Sequence, residues 1–430
     1  MSKKMVNTEP YKGVRDFYPE DLFIQKYLFQ KMRETVESFG YEEYGASILE
    51  PAELYRAKSG EEIVNEQTYT FLDRGEREVT LRPEMTPTLA RMVAKRKRDL
   101  AFPLRWYSIP NLFRYENTQR GRLREHFQLN VDIFGGEPRE ADLEILILAY
   151  SLLKNLGAKD EDFKIIINNR KVAEMTFEKL GLNSEQKYKI SKVIDKRDKI
   201  SENEFKTAAE TLLQEKAERF IEIMDSNKKM IDLLGEQSPE IKELTALIDG
   251  LYKFGIKNIE FNQNLMRGFD YYTGTIFEIF DTNPKNSRSL FGGGRFDELL
   301  QIFGEASIPA VGFGAGDVTL LDFLETHNLL PDYRSQTQIY ICRLDQKFTD
   351  EANRLAQDLR KQGINSAVDL TTKKTGDQIK TAAKKKIPFI VCLGENEIKS
   401  NRFKVKNLES GEETDLSVGE IADFVKKNLS

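Results

Sequence analysis

Apolar and polar positions follow two different periods in the first part of the chain. From Tyr41 to Arg91, short apolar runs such as TYTFLD and REVTLRPEMT are separated by polar breaks, which predicts paired, half-buried strands. The run EADLEILILAYSLLKNL, residues 140–156, repeats its apolar residues on a helical period and is followed by Gly157. Because glycine favours the end of a helix, this run predicts a buried helix, and FKIIIN after it predicts a strand.

The pattern changes between residues 183 and 254, which are rich in Lys, Glu, Ala and Leu. Apolar residues recur there at helical spacing without aromatic alternation, which predicts a helical insertion. Strand patterns return with NIEFNQNLMRGFDYYTGTIFEIFD, and the glycine cluster at 292–294 leads into a predicted helix at 296–303. We therefore expect a sheet that is interrupted by helices and then resumed.

A break at Leu330-Pro331-Asp332 separates the last part of the chain from the rest. Beyond it, the apolar runs QIYICRL, SAVDL and PFIVCLG alternate with the helical patterns TDEANRLAQDLRKQG and GDQIKTAAKKK. Alternation of strands and helices is typical of a small α/β domain. The sequence thus predicts one domain over residues 1–330 and a second over residues 335–430.

Composition narrows the class of protein. The chain has 430 residues, 40% of them hydrophobic and 31% charged, which is enough apolar material for two or three cores. No segment approaches the ~18 uncharged apolar residues that a membrane helix needs, and the first residues lack a signal-peptide pattern. We expect a cytoplasmic protein without a membrane span.

Few side chains are suited to binding a metal. Cys342 and Cys392 lie in apolar runs, where buried thiols are commoner than disulfides, and the chain has only His126 and His327 as histidines. A zinc site needs three or four nitrogen or sulfur ligands close together, so we expect no resident metal. The net charge of -5 argues against general attraction to nucleic acid but allows local basic surfaces.

The strongest chemical signal is RWYSIPNLFRYENTQRGRLREHFQLNVDIFG, residues 105–135, which we call the basic hairpin. Its predicted strands flank a loop with four arginines, and the guanidinium fork suits carboxylate and phosphate oxygens. Such a loop binds a polyanion or is simply a solvated tip, and the residues alone leave both interpretations open. The arginines are Arg114, Arg120, Arg122 and Arg124.

A second segment, LMRGFDYYTGTIFE, spans residues 265–278 and sets Arg267 beside Gly268. Glycine lets a ligand approach the backbone, so Arg267 is a candidate for ligand binding. The alternative is a strand with core tyrosines, and spacing alone favours that alternative.

Together these segments resemble a known family. FRYE, the loop and the return strand resemble motif 2 of class II aminoacyl-tRNA synthetases, and RGFDYYTGTIFE and GGGRFDEL resemble the two signature peptides of histidyl-tRNA synthetases. YKGVRDFYPED, Pro51 at motif 1, LRPEMTPTLAR and the last domain match in the same order. The resemblance implies an α+β fold: a class II antiparallel sheet with flanking helices and a helical insertion, followed by an α/β anticodon-binding domain. It also implies a homodimer through motif 1.

The resemblance further implies a two-step reaction. Histidine attacks ATP, bound with Mg²⁺ on its phosphates, to give histidyl-adenylate, and the histidyl group then passes to the 3′ end of histidine tRNA. The implied catalytic residues are Arg267 and Arg114. The other implied roles are ATP binding by Arg114, Glu116 and Arg122; histidine binding by Glu84, Thr86, Gln128, Asp132, Tyr271 and Tyr272; and tRNA binding by Asn117 and Gln119.

The chain departs from the family pattern at several positions. Thr319 stands where most of the class have a motif 3 arginine that grips ATP, Asp132 replaces a longer glutamate, and His126-Phe127 reverses a familiar order. These departures support a rival hypothesis, a catalytically weak paralogue that senses histidine or tRNA. Another rival is the regulatory subunit of ATP phosphoribosyltransferase, which resembles the catalytic part but lacks the anticodon-binding domain.

Overall fold

The computed structural model describes residues 6–56, 67–197, 200–266 and 272–429. Two compact units, Met1–Leu330 and Pro331–Ser430, make up the chain, and we call them unit 1 and unit 2. Among the helices described, none combines the length and apolar character that crossing a bilayer requires.

Unit 1 mixes helices and strands along its whole length. Its helices are α1 (Pro19–Ser38), α2 (Glu53–Arg56), α3 (Thr86–Arg96), α4 (Pro138–Asn155), α5 (Arg170–Lys179), α6 (Ser184–Asp195), α7 (Glu202–Leu213), α8 (Ala217–Met224), α9 (Asn227–Leu234), α10 (Pro239–Lys253) and α11 (Asp317–Thr326). Its strands are β1 (Glu42–Glu43), β2 (Leu49–Pro51), β3 (Tyr69–Leu72), β4 (Glu78–Leu81), β5 (Leu104–Ser108), β6 (Asn111–Phe113), β7 (Glu125–Phe134), β8 (Phe163–Asn169), β9 (Ile259–Phe261), β10 (Thr275–Asp281), β11 (Ser289–Arg295) and β12 (Ala310–Gly316). Short 3₁₀ turns cover Asp160–Asp162, Gln214–Lys216 and Leu299–Phe303.

Nine of the strands described in unit 1 form one sheet, in the order β1-β5-β7-β12-β11-β10-β8-β9 with β6 beside β7. The pairs from β5 to β8 in this order are antiparallel, whereas the short edge strands β1 and β9 pair in parallel. The predicted antiparallel sheet is therefore confirmed at its centre. β2, β4 and β3 form a separate antiparallel sheet.

One face of the large sheet packs against α1, α4, α10 and α11 through a single apolar cluster. The predicted buried helix is confirmed as α4, whose Leu148 and Leu152 are fully buried. On the sheet side, the Phe313 ring lies 6.3 Å from Phe277 and 5.5 Å from Phe291. On the opposite face a separate apolar cluster packs Leu89 and Val93 of α3 against Phe134.

Two predicted elements differ from the structure. The strand pattern extended to Arg91, but α3 begins at Thr86 because Pro87 presets the backbone of the first helical turn, where a missing N–H costs little. The helix predicted at 296–303 is a shorter 3₁₀ turn at Leu299–Phe303, which ends at Gly304 in the left-handed conformation. Both errors concern element boundaries near turns.

Helices α5 to α10 fill the stretch between the strands β8 and β9. Asn183, Ser201 and Ser226 cap three of them by accepting hydrogen bonds from backbone N–H groups of the first turn. Phe205 and Phe220, with ring centroids 6.3 Å apart, anchor their own apolar cluster. These helices therefore carry a core separate from that of the large sheet.

Unit 2 is a five-stranded sheet with helices on both faces. Its elements are β13 (Ile339–Arg343), the 3₁₀ turn Gln346–Phe348, α12 (Thr349–Lys361), β14 (Ser366–Val368), α13 (Thr375–Lys384), β15 (Phe389–Leu393), α14 (Glu395–Ser400), β16 (Phe403–Asn407), β17 (Glu413–Leu416) and α15 (Val418–Leu429). The strand order is β14-β13-β15-β16-β17, parallel in the first three strands and antiparallel in the rest. Cys342 and Cys392 are neighbours on β13 and β15 and form no disulfide.

A buried ion pair ties β11 to α4. Arg295, the last residue of β11, donates hydrogen bonds to Asp142 at 2.5 Å and to Asp297 at 3.0 Å, and its side chain is 2% exposed. Thr275 donates to the second oxygen of Asp142 at 2.7 Å. Both carboxylate oxygens of Asp142 are bonded, and without Asp142 the buried Arg295 charge would keep only the partly exposed carboxylate of Asp297.

We expect Asp142→Ala to lower the free energy of unfolding by about 3–5 kcal/mol, because the buried Arg295 charge loses its buried partner and keeps only Asp297. Glu185→Ala is the matched control, since Glu185 pairs with Lys189 on an exposed face of α6 and should change little. Urea denaturation followed by circular dichroism measures both. Equal effects of the two substitutions would contradict the role given to Asp142.

Candidate active site

The open face of the large sheet has a floor of glycines. Gly292 on β11 lies opposite Gly314 on β12, and Gly294 lies opposite Gly312. We call these four residues the glycine floor. Since successive side chains of a strand alternate between faces, the floor forms a patch with no side chains of its own.

Side chains of neighbouring strands occupy the space above the glycine floor. A methyl group on Gly314 would come within 2.8 Å of Gln128 Cδ, and one on Gly294 within 3.0 Å of Tyr272 Cδ1. A methyl group on Gly312 would overlap the carboxyl of Asp132 and the carbonyl of Val131. The floor therefore holds three of the predicted histidine-binding residues, Gln128, Asp132 and Tyr272, on one face.

Asp132 lies in a dry part of this face. It is 3% exposed, and burial raises its pKa to about 8, so its carboxyl is mostly protonated at neutral pH. The hydroxyl groups of Tyr44 and Ser108 are also buried, and they lie close to each other. Burial and the nearby Asp132 raise the pKa of Tyr44. Buried polar groups of this kind are suited to a polar ligand.

Tyr44 and Ser108 were missed by the sequence analysis. Trp106 pairs with Asp132 across β5 and β7, and Ser108, two residues further on, shares its face. A polar residue at that period in an otherwise buried strand was the available signal for Ser108. Tyr44 had no such signal, because its backbone is placed by a hydrogen bond to Tyr107 after a long connection.

The segment that carries Glu84 and Thr86 is fixed by hydrogen bonds on both sides. Arg82 donates to the carbonyls of Asn111 at 3.0 Å and Ala46 at 2.9 Å. The Tyr55 hydroxyl lies 3.4 Å from the Glu84 carbonyl. Glu84 is largely buried, and Thr86 is half-buried at the start of α3.

The basic hairpin joins this segment through Arg114. Arg114 Nε donates to the Pro83 carbonyl at 2.9 Å, and no partner for its two terminal nitrogens is found in the part of the chain that the structure describes. In the loop, Arg122 pairs with the buried carboxylate of Glu116 at 2.8 Å. Arg124 lies over the Tyr115 ring at 4.0 Å and so stiffens the base of the hairpin.

His126 lies among three arginines. Burial first, and then the charges of Arg114, Arg15 and Arg122, lower its pKa to about 3. The imidazole is therefore neutral at physiological pH, and the surrounding field is positive. A field of that sign favours an anion such as a phosphate or a carboxylate. From the sequence, His126 was noted as one of two histidines and for its order relative to Phe127, and Arg15 was missed.

Arg15 connects the hairpin to α11. Its guanidinium donates to Asp317 Oδ2 at 2.7 Å, and the other oxygen, Oδ1, accepts from the Phe127 N–H at 2.9 Å. Asp317 is fully buried at the first position of α11. The adjacent Gly13 carbonyl accepts from the backbone N–H groups of Arg124 and Glu125. The segment around Arg15 thus fixes β7 to the start of α11.

The remaining predicted residues are placed as follows. Asn117 and Gln119 are exposed in the hairpin loop, where Gln119 and Arg122 exchange backbone hydrogen bonds in a tight turn. Thr319, at the motif 3 position, donates its hydroxyl to the Leu290 carbonyl at 2.6 Å. Arg267 and Tyr271 lie outside the described residues. Among the residues that the structure does describe, no group of three or more acidic, histidine or cysteine side chains could hold a metal ion.

This sheet, with its glycine floor and basic hairpin, defines a class II aminoacyl-tRNA synthetase, as predicted. Residues 13–318 match the family model of histidyl-tRNA synthetase, and residues 338–428 match that of the anticodon binding domain. The chain therefore belongs to the histidyl-tRNA synthetase family.

Individual relatives agree with this assignment. The histidine–tRNA ligase of Leptospira biflexa is 45% identical over 437 aligned residues and all of both chains, and that of Thermoplasma volcanium is 35% identical over 98% of this chain and 99% of its own. The crystal structure of histidyl-tRNA synthetase from Nostoc sp. PCC 7120 shares the fold, with a TM-score of 0.83 at 24% identity over 99% of this chain and 100% of that chain. Full-length ligase relatives and a matching anticodon binding domain do not favour the paralogue alternatives.

The glycine floor yields one test. We expect Gly312→Ala to abolish histidine binding, because its methyl group would displace Asp132 and collide with backbone that has no room to move. Gly45→Ala is the control, since nothing lies within 4 Å of a methyl group there. Calorimetric titration with histidine measures both variants. Normal binding by Gly312→Ala would show that the floor does not need glycine at this position.

A second test concerns the protonation of Asp132. An unfolded aspartate has a pKa near ~3.9, whereas burial raises that of Asp132 to about 8 in the folded chain. The folded chain holds the extra proton between these values, so Asp132 stabilises the fold at low pH and this contribution falls as the pH rises. Asp132→Asn should remove this dependence of stability on pH. Relative to the unmodified chain, its free energy of unfolding should therefore rise by up to about 1.4 kcal/mol per pH unit between pH ~5 and ~8.

Denaturation of both chains across this pH range measures the difference. A difference that does not change with pH would show that the folded carboxyl is ionised throughout.

Proposed function

We propose that this protein is a histidine–tRNA ligase, which forms histidyl-adenylate from histidine and ATP and then transfers the histidyl group to the 3′ end of histidine tRNA. The observation that carries the proposal is the polarity of the open sheet face. One end has the cationic group of Arg15, Arg114 and Arg122 around a neutral His126, and the other has the protonated Asp132 beside two buried hydroxyl groups. An amino acid with a neutral polar ring, joined to a phosphate, matches this face: the phosphate suits the cationic end and the ring suits the neutral end.

The cationic end would bind the reacting groups. Arg114, whose terminal nitrogens face no described partner, bridges the histidine carboxylate and the α-phosphate in this proposal, while Glu116 and Arg122 contact the nucleotide. Arg267 is assigned to the α-phosphate on the family resemblance alone. Positioning and charge stabilisation supply most of the rate, since the carboxylate itself is the nucleophile. Mg²⁺ enters as part of the ATP substrate and neutralises phosphate charge.

The other end would select histidine. A neutral imidazole presents one N–H donor and one acceptor nitrogen, and a protonated carboxyl likewise has one donor and one acceptor oxygen. Asp132 and Tyr272 therefore contact the ring in this proposal, and Tyr271 is assigned to histidine binding on the family resemblance alone. Glu84, Thr86 and Gln128 contact the ammonium group. An amino acid with an apolar side chain would not satisfy the buried carboxyl of Asp132, which disfavours its binding strongly.

We also propose a homodimer and a tRNA path. The small sheet that contains Pro51 exposes Leu49, Phe71 and Leu72, which is typical of a surface covered by a second subunit. The exposed loop residues Asn117 and Gln119 contact the acceptor end of the tRNA in this proposal, and unit 2 contacts the anticodon. We place the reaction in the cytoplasm.

Isotope exchange between pyrophosphate and ATP tests the first step. We expect exchange with histidine and with no other standard amino acid. Arg114→Ala should lower the turnover of exchange by roughly 100-fold, as the loss of one charge-stabilising donor does in other enzymes. Arg219→Ala, on an exposed face of α8, is the control. A folded chain with no histidine-dependent exchange would overturn the proposal.

A further inference from the structure

A cleft opens beside the basic hairpin, at the end of the sheet near α11. It has an open volume of about 390 Å³. Three parts of unit 1 surround it: the tight turn of the hairpin, the connection between β10 and β11, and the first turns of α11. The side chains that matter most are Arg120, Lys285, Arg288, Thr319 and Asp322.

Positive charge exceeds negative charge in this cleft. Arg120, Lys285 and Arg288 line it, against the single carboxylate of Asp322. Arg288 is exposed, and the described residues offer it no hydrogen bond or ion pair. Arg120 is held by two long contacts: a terminal nitrogen donates to the Thr326 hydroxyl at 3.4 Å, and Nε lies 3.8 Å from Asp322 Oδ2. An exposed pair at that distance is weak, so both guanidinium groups are available to an anion.

Thr319, at the bottom of the cleft, is uncharged. The hydroxyl of Thr319 is engaged by the carbonyls of Leu290, at 2.6 Å, and Gly316, at 3.3 Å. Its side chain is short, so the space above it is left to the arginines. A methyl group on Gly121 would lie 3.4 Å from Arg288 Cδ and 3.5 Å from Thr319 Cγ2. The hairpin turn therefore approaches both residues closely.

The cleft continues the cationic end of the active site. Asp317 receives the Phe127 N–H at 2.9 Å, which fixes the first turn of α11 next to the end of β7. His126, the neighbour of Phe127, lies in the field of Arg114 and Arg122. Arg120 and Gly121 line the cleft, and Arg122 follows them in the chain, so the hairpin turn joins the cleft to these arginines.

We propose that Arg288, assisted by Arg120, binds the β- and γ-phosphates of ATP and the pyrophosphate product. The inference rests on the proposed function for the identity of the nucleotide. Arg288 comes from the connection before β11, and its planar guanidinium binds two oxygens of a phosphate chain at once. It acts as a substrate-positioning residue, with Thr319 leaving the space that the phosphates occupy.

Ligand binding tests this without requiring turnover. We expect Arg288→Ala to weaken ATP and pyrophosphate binding roughly tenfold or more, as the loss of a charge-assisted contact does. The affinity for AMP, which lacks the β- and γ-phosphates, should change less than about twofold by the same reasoning. Arg288→Lys should recover part of the ATP affinity, since it keeps the charge but not the fork. Arg219→Ala is the matched control.

Isothermal titration with ATP, AMP and pyrophosphate supplies these numbers, and exchange kinetics add the Michaelis constants for ATP and histidine. Only the constant for ATP should rise. Equal losses for ATP and AMP would overturn the inference, because they indicate a general disturbance of the site. Unchanged ATP binding with impaired tRNA charging would also overturn it, by assigning Arg288 to a tRNA phosphate. Absence of exchange in the unmodified chain would instead count against the proposed function, and the binding ratios would still decide the role of Arg288.

Discussion

The glycine floor is the constraint on which the active-site face depends. Gly312 and Gly314 leave room for Asp132 and Gln128 of the adjacent strand to lie across β12, and Gly294 leaves room for Tyr272. Strands rich in glycine are weak, since they lack side chains to pack and lose more entropy on folding. The reverse face compensates with the contacts among Phe277, Phe291 and Phe313.

The buried pair of Arg295 and Asp142 completes this support. It fixes the end of the glycine-bearing strand β11 to α4, a helix that belongs to the core on the other face. A floor without side chains thus keeps its position because the chain is anchored immediately beside it. The open face can then be devoted to ligand contacts, with dry and neutral surroundings at Asp132 and a positive field around His126.

Much of the fold could be predicted from local patterns, and the site could not. The helical period of residues 140–156 predicted α4 to within two residues at each end. The pairing of β12 with β7 and β11 joins strands that are distant in sequence, and no local period encodes such a register. For the same reason Arg15, Tyr44 and Ser108 were missed: each acquires its significance from a neighbour far along the chain. The roles given to Glu84, Thr86 and Arg267 came from family resemblance rather than from spacing.

The contact between Arg15 and Asp317 also bears on the order in which the protein is made. The two residues are separated by 302 positions, so during synthesis Arg15 leaves the ribosome long before its partner exists. Until Asp317 emerges, β7 lacks the bond that fixes Phe127 to α11. The nascent chain then carries Arg15 without its carboxylate partner beside a hairpin with four more arginines, and such positive charge attracts RNA phosphates. Because the substrate site needs Asp317, one of the last residues of unit 1, it cannot form fully on an incomplete chain.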